Sequence, residues 1–210
     1  MSRTGIMGGT FDPVHLAHLA MAECAREQMM LDKVLFMPSK IPPHKRNRKI
    51  SSEELRAKLV QLAVEGKPGF YYSDFELNRK EVTYTARTLE LLKKQYHEEE
   101  FFFIMGADSL FQFENWYLPG KIMEYAVILA VSRDGVLQRD MLDKAAMLSE
   151  KYHGEVRIIQ MPEMNISSSM IRERLAKGES VEPYLPSRVY EYIMRNHCYR
   201  ADGGAGKIYG

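Results

Sequence analysis

The chain has 210 residues, 45% hydrophobic and 27% charged, with 29 Lys and Arg against 28 Asp and Glu. That balance belongs to an ordinary globular chain of one domain or two small ones, and a net charge of +1 excludes the basic excess usual in nucleic-acid binders. No run approaches the roughly 18 apolar residues that span a bilayer, the first residues do not read as a secretory signal, and Cys24 and Cys198 fit neither a disulfide framework nor a metal site, which suits a reducing cytoplasm.

Ile6 and Met7 open a short apolar stretch that halts at Gly8-Gly9. It predicts a buried strand ending in a tight turn. Over residues 14–30, Leu16, Leu19, Ala20 and Met29 recur among good helix formers and predict a helix. Lys33-Val34-Leu35-Phe36-Met37, stopped by Pro38, predicts a second strand and completes a βαβ crossover. Residues 40–49 hold Lys40, His44, Lys45, Arg46, Arg48 and Lys49 around Pro42-Pro43, with no acidic residue, and read as a basic loop. Ser51 and Glu54 then stand at capping-box spacing, ahead of a helix expected to reach Glu65.

Alternating aromatic and polar residues over 71–77 predict a short strand, and residues 84–96 a helix entered through Thr83 or Thr85. Phe101-Phe102-Phe103-Ile104-Met105 is the clearest buried strand and ends at Gly106. Residues 126–131 predict another, ending at Ser132-Arg133. A helix over 141–152, a last strand over 156–161 and helices over 167–176 and 187–196 complete the chain. This alternation predicts one α/β domain over residues 1–200, an open and mostly parallel sheet with helices on both faces. The glycine-rich residues 201–210 read as a flexible C-terminal tail.

The strongest chemical signal is Gly8-Gly9-Thr10-Phe11-Asp12-Pro13-Val14-His15-Leu16-Ala17-His18, between a predicted strand and a predicted helix. Glycines permit a sharp turn and close ligand approach. The helix start offers N–H groups and the positive end of a dipole, which favours phosphate. His15 and His18 are three apart and project from one face of the first turn, toward phosphate oxygens. Zinc is a weaker reading, because no third ligand lies nearby. Ile166-Ser167-Ser168-Ser169-Met170-Ile171-Arg172 is a second hydroxyl-rich helix start, readable as a cap or as a phosphate site. Asp108 after Gly106 could accept from ribose hydroxyls or cap a helix. Trp116 could be core, but the polar stretch to Pro119-Gly120 reads as an exposed approach to a turn.

The first motif resembles the signature of the nucleotidylyltransferase superfamily, whose hallmark is His-x-Gly-His. Ile41-Pro42-Pro43-His44-Lys45, Thr83-Tyr84-Thr85, Gly106-Ala107-Asp108-Ser109, Trp116-Tyr117 and Asn165 to Arg172 follow in order. Together they resemble the bacterial nicotinate mononucleotide adenylyltransferases, over nearly the whole chain. The resemblance implies a Rossmann-like fold and transfer of AMP from ATP to nicotinate mononucleotide, with magnesium carried by ATP and no resident metal site. It implies His18, then His15, at the α-phosphate, and Gly8, Gly9, Thr10, Phe11, Gly106, Asp108, Ser168 and Arg172 at ATP. It assigns Lys45, Thr85, Trp116 and Tyr117 to the mononucleotide, with Arg133 added as a residue at a strand end. A helix start at Thr85 favours a charged carboxylate, hence nicotinate over nicotinamide.

One departure is Ala17, which stands where the family has glycine; its methyl could crowd the nucleotide, and a tolerated or slightly weakened ATP site is expected. A nucleotide-binding regulator that lost catalysis through Ala17 is therefore one rival, and a phosphopantetheine adenylyltransferase another. An RNA-binding module using residues 40–49 is the third, disfavoured by the balanced charge. A homo-oligomer is expected only because family members often form dimers or larger assemblies.

Overall fold

The computed structural model describes residues 2–40, 50–132 and 138–200. Six parallel strands form one sheet in the order β3-β2-β1-β4-β5-β6. In chain order the elements are β1 (Arg3–Gly9), α1 (Leu16–Gln28), β2 (Lys33–Pro38), α2 (Glu53–Val64), β3 (Phe70–Tyr72) and α3 (Thr85–Gln95). Then follow β4 (Glu100–Gly106), α4 (Ala107–Phe111), α5 (Pro119–Tyr125), β5 (Ala126–Ser132), α6 (Gln138–Tyr152), β6 (Val156–Gln160), α7 (Ser168–Ala176) and α8 (Ser187–Arg195). Short 3₁₀ turns cover Phe113–Asn115 and Glu182–Tyr184. Among the described residues no helix is long and apolar enough to cross a membrane.

The expected α/β sheet with helices on both faces is present. Alternation along each strand feeds two separate cores. Phe102 and Ile104 of β4 face α1, α2, α7 and α8, while Phe101, Phe103 and Met105 face α3, α4, α5 and α6. Burial on both sides explains the unbroken apolar run in the sequence. Each fully buried Phe contributes on the order of 2–3 kcal/mol. Gly5 sits where a Cβ would stand 2.9 Å from Leu31 and 3.1 Å from Val34, so β1 lies flush on its core neighbours only because that residue is bare.

Several expected boundaries move. Gly8 and Gly9 are the last residues of β1 rather than the turn, and neither has a positive φ. The left-handed residue is Phe11, at φ 49°. The first helix starts at Leu16, not Val14, and the α2 cap is Ser52, whose Oγ accepts from Leu55 N–H, not Ser51. The strand expected over 71–77 is only Phe70–Tyr72. Its ladder ends because Pro38 on β2 offers no N–H and because Phe75 N–H turns back to Ser73 Oγ. Pro119-Gly120 opens α5 instead of forming a turn, with Pro119 at its first position. Helices α4 and α5 were not expected; at five and seven residues they are too short to display a 3.6-residue period. The tail at 201–210 and most of the basic loop, 41–49, lie outside the described residues.

Candidate active site

Strands β1 and β4 are neighbours, although β1 is followed in the chain by β2. Sheets of this kind bind ligands where the strand order reverses in this way, beyond the strands' C-terminal ends. Pairing between β1 and β4 runs from Arg3–Glu100 to Ile6–Phe103. Residues 7–9 and 104–106 therefore continue past it and border a crevice. Gly8 is exposed there, and a Cβ on it would meet only the Phe103 ring, at 3.5 Å. That is ordinary contact, so the missing side chain opens the crevice wall rather than relieving the fold. Gly9 differs: a Cβ would stand 3.1 Å from the Phe11 ring, which folds back across it.

His15 is the N-cap of α1 and His18 its third residue. The two rings stack at 3.7 Å between centroids, with His15 buried and His18 half-exposed above it. Phe11 meets the His18 ring edge-on at 5.1 Å. The His15 backbone N–H donates to His18 Nδ1 at 3.2 Å. That bond requires a lone pair on Nδ1, so the neutral ring carries its proton on Nε2. Ala17 is fully buried. Its methyl lies within the packing of α1 on the core.

The turn from Thr10 to Pro13 is held by its carbonyls. Arg56, fully buried on α2, donates from Nη1 to Thr10 O and to Ser39 O, both at 2.8 Å, and from Nε to Ser51 O. Arg172 donates to Asp12 O, and Ser168 Oγ to Pro13 O at 2.9 Å. In a trans peptide the N–H points opposite to the C=O. Anchoring Thr10 O and Pro13 O in protein therefore turns the N–H groups of Phe11 and Val14 the other way. The Asp12 carboxylate is itself buried and accepts from Ser51 N–H at 3.3 Å and from Tyr199 Oη–H at 2.8 Å. Burial pulls the Arg56 pKa down, against the opposing pull of Asp12. Burial pushes the Tyr199 phenol well up, and the Asp12 charge adds to it.

Helix α7 thus meets the start of α1. Its cap is Ser167, whose Oγ accepts from Met170 N–H at 3.1 Å, so the cap reading of the serine cluster holds for Ser167 and leaves Ser168 and Arg172 to reach across to the turn. Gly106 is the N-cap of α4, and Asp108 lies inside that helix with its side chain exposed, so Asp108 is not a cap. Met21 of α1 is the nearest neighbour a Cβ on Gly106 would find, at 3.9 Å.

Trp116 is half-buried, which corrects the expected exposure. It packs edge-on against Phe103 at 6.0 Å and on Phe113 at 5.7 Å. The Phe103 ring therefore lies between Gly8 and Trp116 and joins the glycine wall to the aromatic side of the site. Tyr117 is exposed and lies 4.5 Å from the Tyr84 ring. Tyr84, not Thr83, caps α3, and Thr85 is its first residue. No acidic residue and no side-chain cap occupies that helix start. Below it, Thr88 Oγ1 donates to the buried Glu76 carboxylate at 2.7 Å, and Arg79 donates to Thr88 Oγ1. Burial raises the Glu76 pKa, partly offset by bonds from Thr88 and Thr83.

The structure brings Gly8, Gly9, Thr10, Phe11, His15, His18, Ser168 and Arg172 together, and groups Trp116 and Tyr117 near Thr85. Lys45 and Arg133 lie outside the described residues. Among the described residues no group of three or more His, Cys, Asp or Glu side chains could hold a metal ion. Reading the sequence missed Arg56, Tyr84, Asp12 and Tyr199. Arg56 had a signal, a charge on the stripe of Leu55, Leu59, Val60 and Ala63. Tyr84 and Asp12 lay inside recognised motifs without a role, and Tyr199 had no local signal.

The cytidylyltransferase-like family model matches residues 6–174. A protein of Lachnoclostridium phytofermentans named a probable nicotinate-nucleotide adenylyltransferase is 43% identical over 199 residues, covering 95% of this chain and 100% of that protein. A protein of the same name from Carboxydothermus hydrogenoformans is 40% identical, covering 95% and 98%. The solved structure of Plasmodium falciparum nicotinic acid mononucleotide adenylyltransferase complexed with NaAD superposes with a TM-score of 0.76, over 95% of this chain and 98% of that one. At 18% identity this last likeness shows the fold alone.

Proposed function

The chain belongs to the cytidylyltransferase-like family and, within it, to the nicotinate-nucleotide adenylyltransferases, and from that premise we propose how its own residues carry the reaction. The enzyme transfers AMP from ATP to nicotinate mononucleotide, giving nicotinate adenine dinucleotide and pyrophosphate, a step of NAD biosynthesis. The observation that carries the assignment of roles is the meeting of the α1 and α7 starts at the β1/β4 crevice, with His18 half-exposed between them.

An oxygen of the mononucleotide 5′-phosphate attacks the α-phosphorus of ATP. The bond from that phosphorus to the bridging oxygen of the β-phosphate breaks, and pyrophosphate leaves. The nucleophile is already an anion at neutral pH, so no side-chain base is needed. Catalysis is alignment and neutralisation of charge. His18 donates from Nε2 to the α-phosphate, with His15 stacked beneath it as support. Gly8, Gly9, Thr10 and Phe11 line the phosphates, and Ser168 and Arg172 bring the second helix start to them. Gly106 and Asp108 face the ribose. Magnesium enters on the triphosphate as part of the substrate and shares the neutralisation.

Trp116 and Tyr117 offer flat surfaces to the pyridine ring. The start of α3 at Thr85 faces the carboxylate, and its freedom from acidic residues supports this role. Lys45 and Arg133 complete the mononucleotide contacts. The helix start stabilises a charged carboxylate over a neutral amide, so nicotinate mononucleotide is the preferred substrate. The test is pyrophosphate release from magnesium-ATP with either mononucleotide, beside a His18→Ala control. Release with the nicotinate form, lost in the control, supports the reading. Equal kcat/KM for both mononucleotides overturns the carboxylate argument, and release with neither overturns the substrate.

A further inference from the structure

Resting on the adenylyl-transfer reading, we propose that Tyr199 is a positioning residue for that reaction, its phenol fixing the Asp12 carboxylate and through it the turn that leads into His15 and His18. The bond joins residues 187 positions apart, Tyr199 Oη donating to Asp12 Oδ1 at 2.8 Å. Asp12 Oδ2 accepts from Ser51 N–H at 3.3 Å, and Asp12 O accepts from Arg172. One residue of the turn therefore ties together the start of α2, the second turn of α7 and the end of the described chain.

The backbone at Tyr199 points the same way. Helix α8 ends in a Schellman closure: His197 N–H donates to Met194 O, and Cys198 N–H to Ile193 O at 3.0 Å. That closure accounts for the left-handed His197, at φ 51°. It does not account for Tyr199, which is left-handed again at φ 65°. A bulky residue rarely adopts this conformation, and it persists where surrounding contacts fix it. Here those contacts are the packing of the half-buried ring on the core and the phenol's bond to Asp12. The second left-handed residue turns the phenol back toward the turn that opens α1.

The consequence is for rate more than for affinity. Without the phenol, a buried carboxylate oxygen loses its donor and Asp12 shifts. Asp12 stands three residues before the cap of α1, so His18 shifts with it. Small misplacements of aligned groups lower the rate steeply, whereas substrate affinity is spread over many contacts.

Tyr199→Phe removes one oxygen and keeps the ring. It is compared with wild type, Asp12→Ala and the double variant, well below every melting midpoint, by pyrophosphate release. The expected result is a roughly tenfold loss of kcat with KM for both substrates within about threefold. The double variant is expected to be no slower than Asp12→Ala, because the acceptor that the phenol positions is already gone in that variant. Tyr199→Phe within about twofold of the wild-type kcat, or multiplicative effects in the double variant, overturns the proposal even if the melting midpoint falls. If Tyr199→Phe does not fold, Asp12→Ala decides: a roughly tenfold lower kcat with KM within about threefold supports the proposal, and a wild-type rate overturns it. A wild type that releases no pyrophosphate overturns the reading and this proposal together, whereas active wild type beside equally active Tyr199→Phe overturns this proposal alone.

Discussion

At the proposed phosphate end of the site, the turn after β1 is gripped from three directions by buried or half-buried groups: Arg56 on Thr10 O, Arg172 on Asp12 O, and Tyr199 on the Asp12 carboxylate. At the proposed pyridine end the aromatic groups lean on one another, with Tyr84 and Tyr117 both exposed and 4.5 Å apart. An aromatic pair of that kind is worth about 0.5–1.5 kcal/mol, whereas each bond to a charged donor contributes about 1.5–3 kcal/mol. The difference matches the two tasks. Phosphoryl chemistry without a side-chain base depends on alignment, so its donors are anchored in the core. Pyridine recognition needs a flat surface and a favourable helix end, and it tolerates exposure.

The largest effect that would break this comparison is on stability. Arg56→Met removes a buried guanidinium that bonds three carbonyls. It is expected to cost about 3–5 kcal/mol, a fall in melting midpoint of roughly 6–20 °C, read by thermal denaturation. A fall of only a degree or two would mean that the phosphate end is no better anchored than the pyridine end. His18→Ala comes next. It is expected to lower kcat by roughly 10²–10³-fold with little change in KM, since it removes a donor to developing charge. Its melting midpoint should stay near that of wild type, because the ring is half-exposed. Tyr117→Ala should do the reverse at the other end: KM for nicotinate mononucleotide up about 5–10-fold, from loss of roughly 1 kcal/mol of ring contact, and kcat nearly unchanged.

The same division governs what could be read from the sequence. Strands β1, β2, β4 and β5 were legible because burial on both faces leaves an apolar run. Gly8 to His18 was legible because one continuous segment carries both the turn and the histidines. The pyridine assignment rests on resemblance alone, since Trp116 gave the wrong exposure and Pro119-Gly120 the wrong structure. Arg56 was readable in principle, as a charge on a buried helix face. Tyr199 was not: its place depends on two left-handed residues and a contact across 187 positions, and no local pattern encodes either. The resemblance assigns Ser168 and Arg172 to phosphates, and their bonds to Pro13 and Asp12 add an anchoring role.

Smaller effects sharpen the comparison. Ala17→Gly removes a methyl buried in the core and adds helix flexibility, so it should cost about 1 kcal/mol and leave kcat within about twofold; a large gain in rate would put the methyl back against the nucleotide.

The smallest effect concerns acid. Glu114 sits in the 3₁₀ turn just before Trp116 and binds Lys144 at 2.5 Å and Lys151 at 2.7 Å, both on α6. Hydrogen bonds from Lys144 and then Lys151 hold its pKa down at about 2. A depressed carboxyl stabilises the fold fully above its unfolded value, near 4.5, and that stability is lost as pH falls through about 2. Between those values the turn carrying Trp116 should loosen at the pyridine end. Trp116 is the only tryptophan, so its emission reports that turn directly. It should shift in this window in wild type, less in high salt because solvent-facing pairs are screened, and without the acid step in Glu114→Gln. The same acid step in Glu114→Gln would assign the loosening to another carboxylate, and the two ends of the site would then share one acid response.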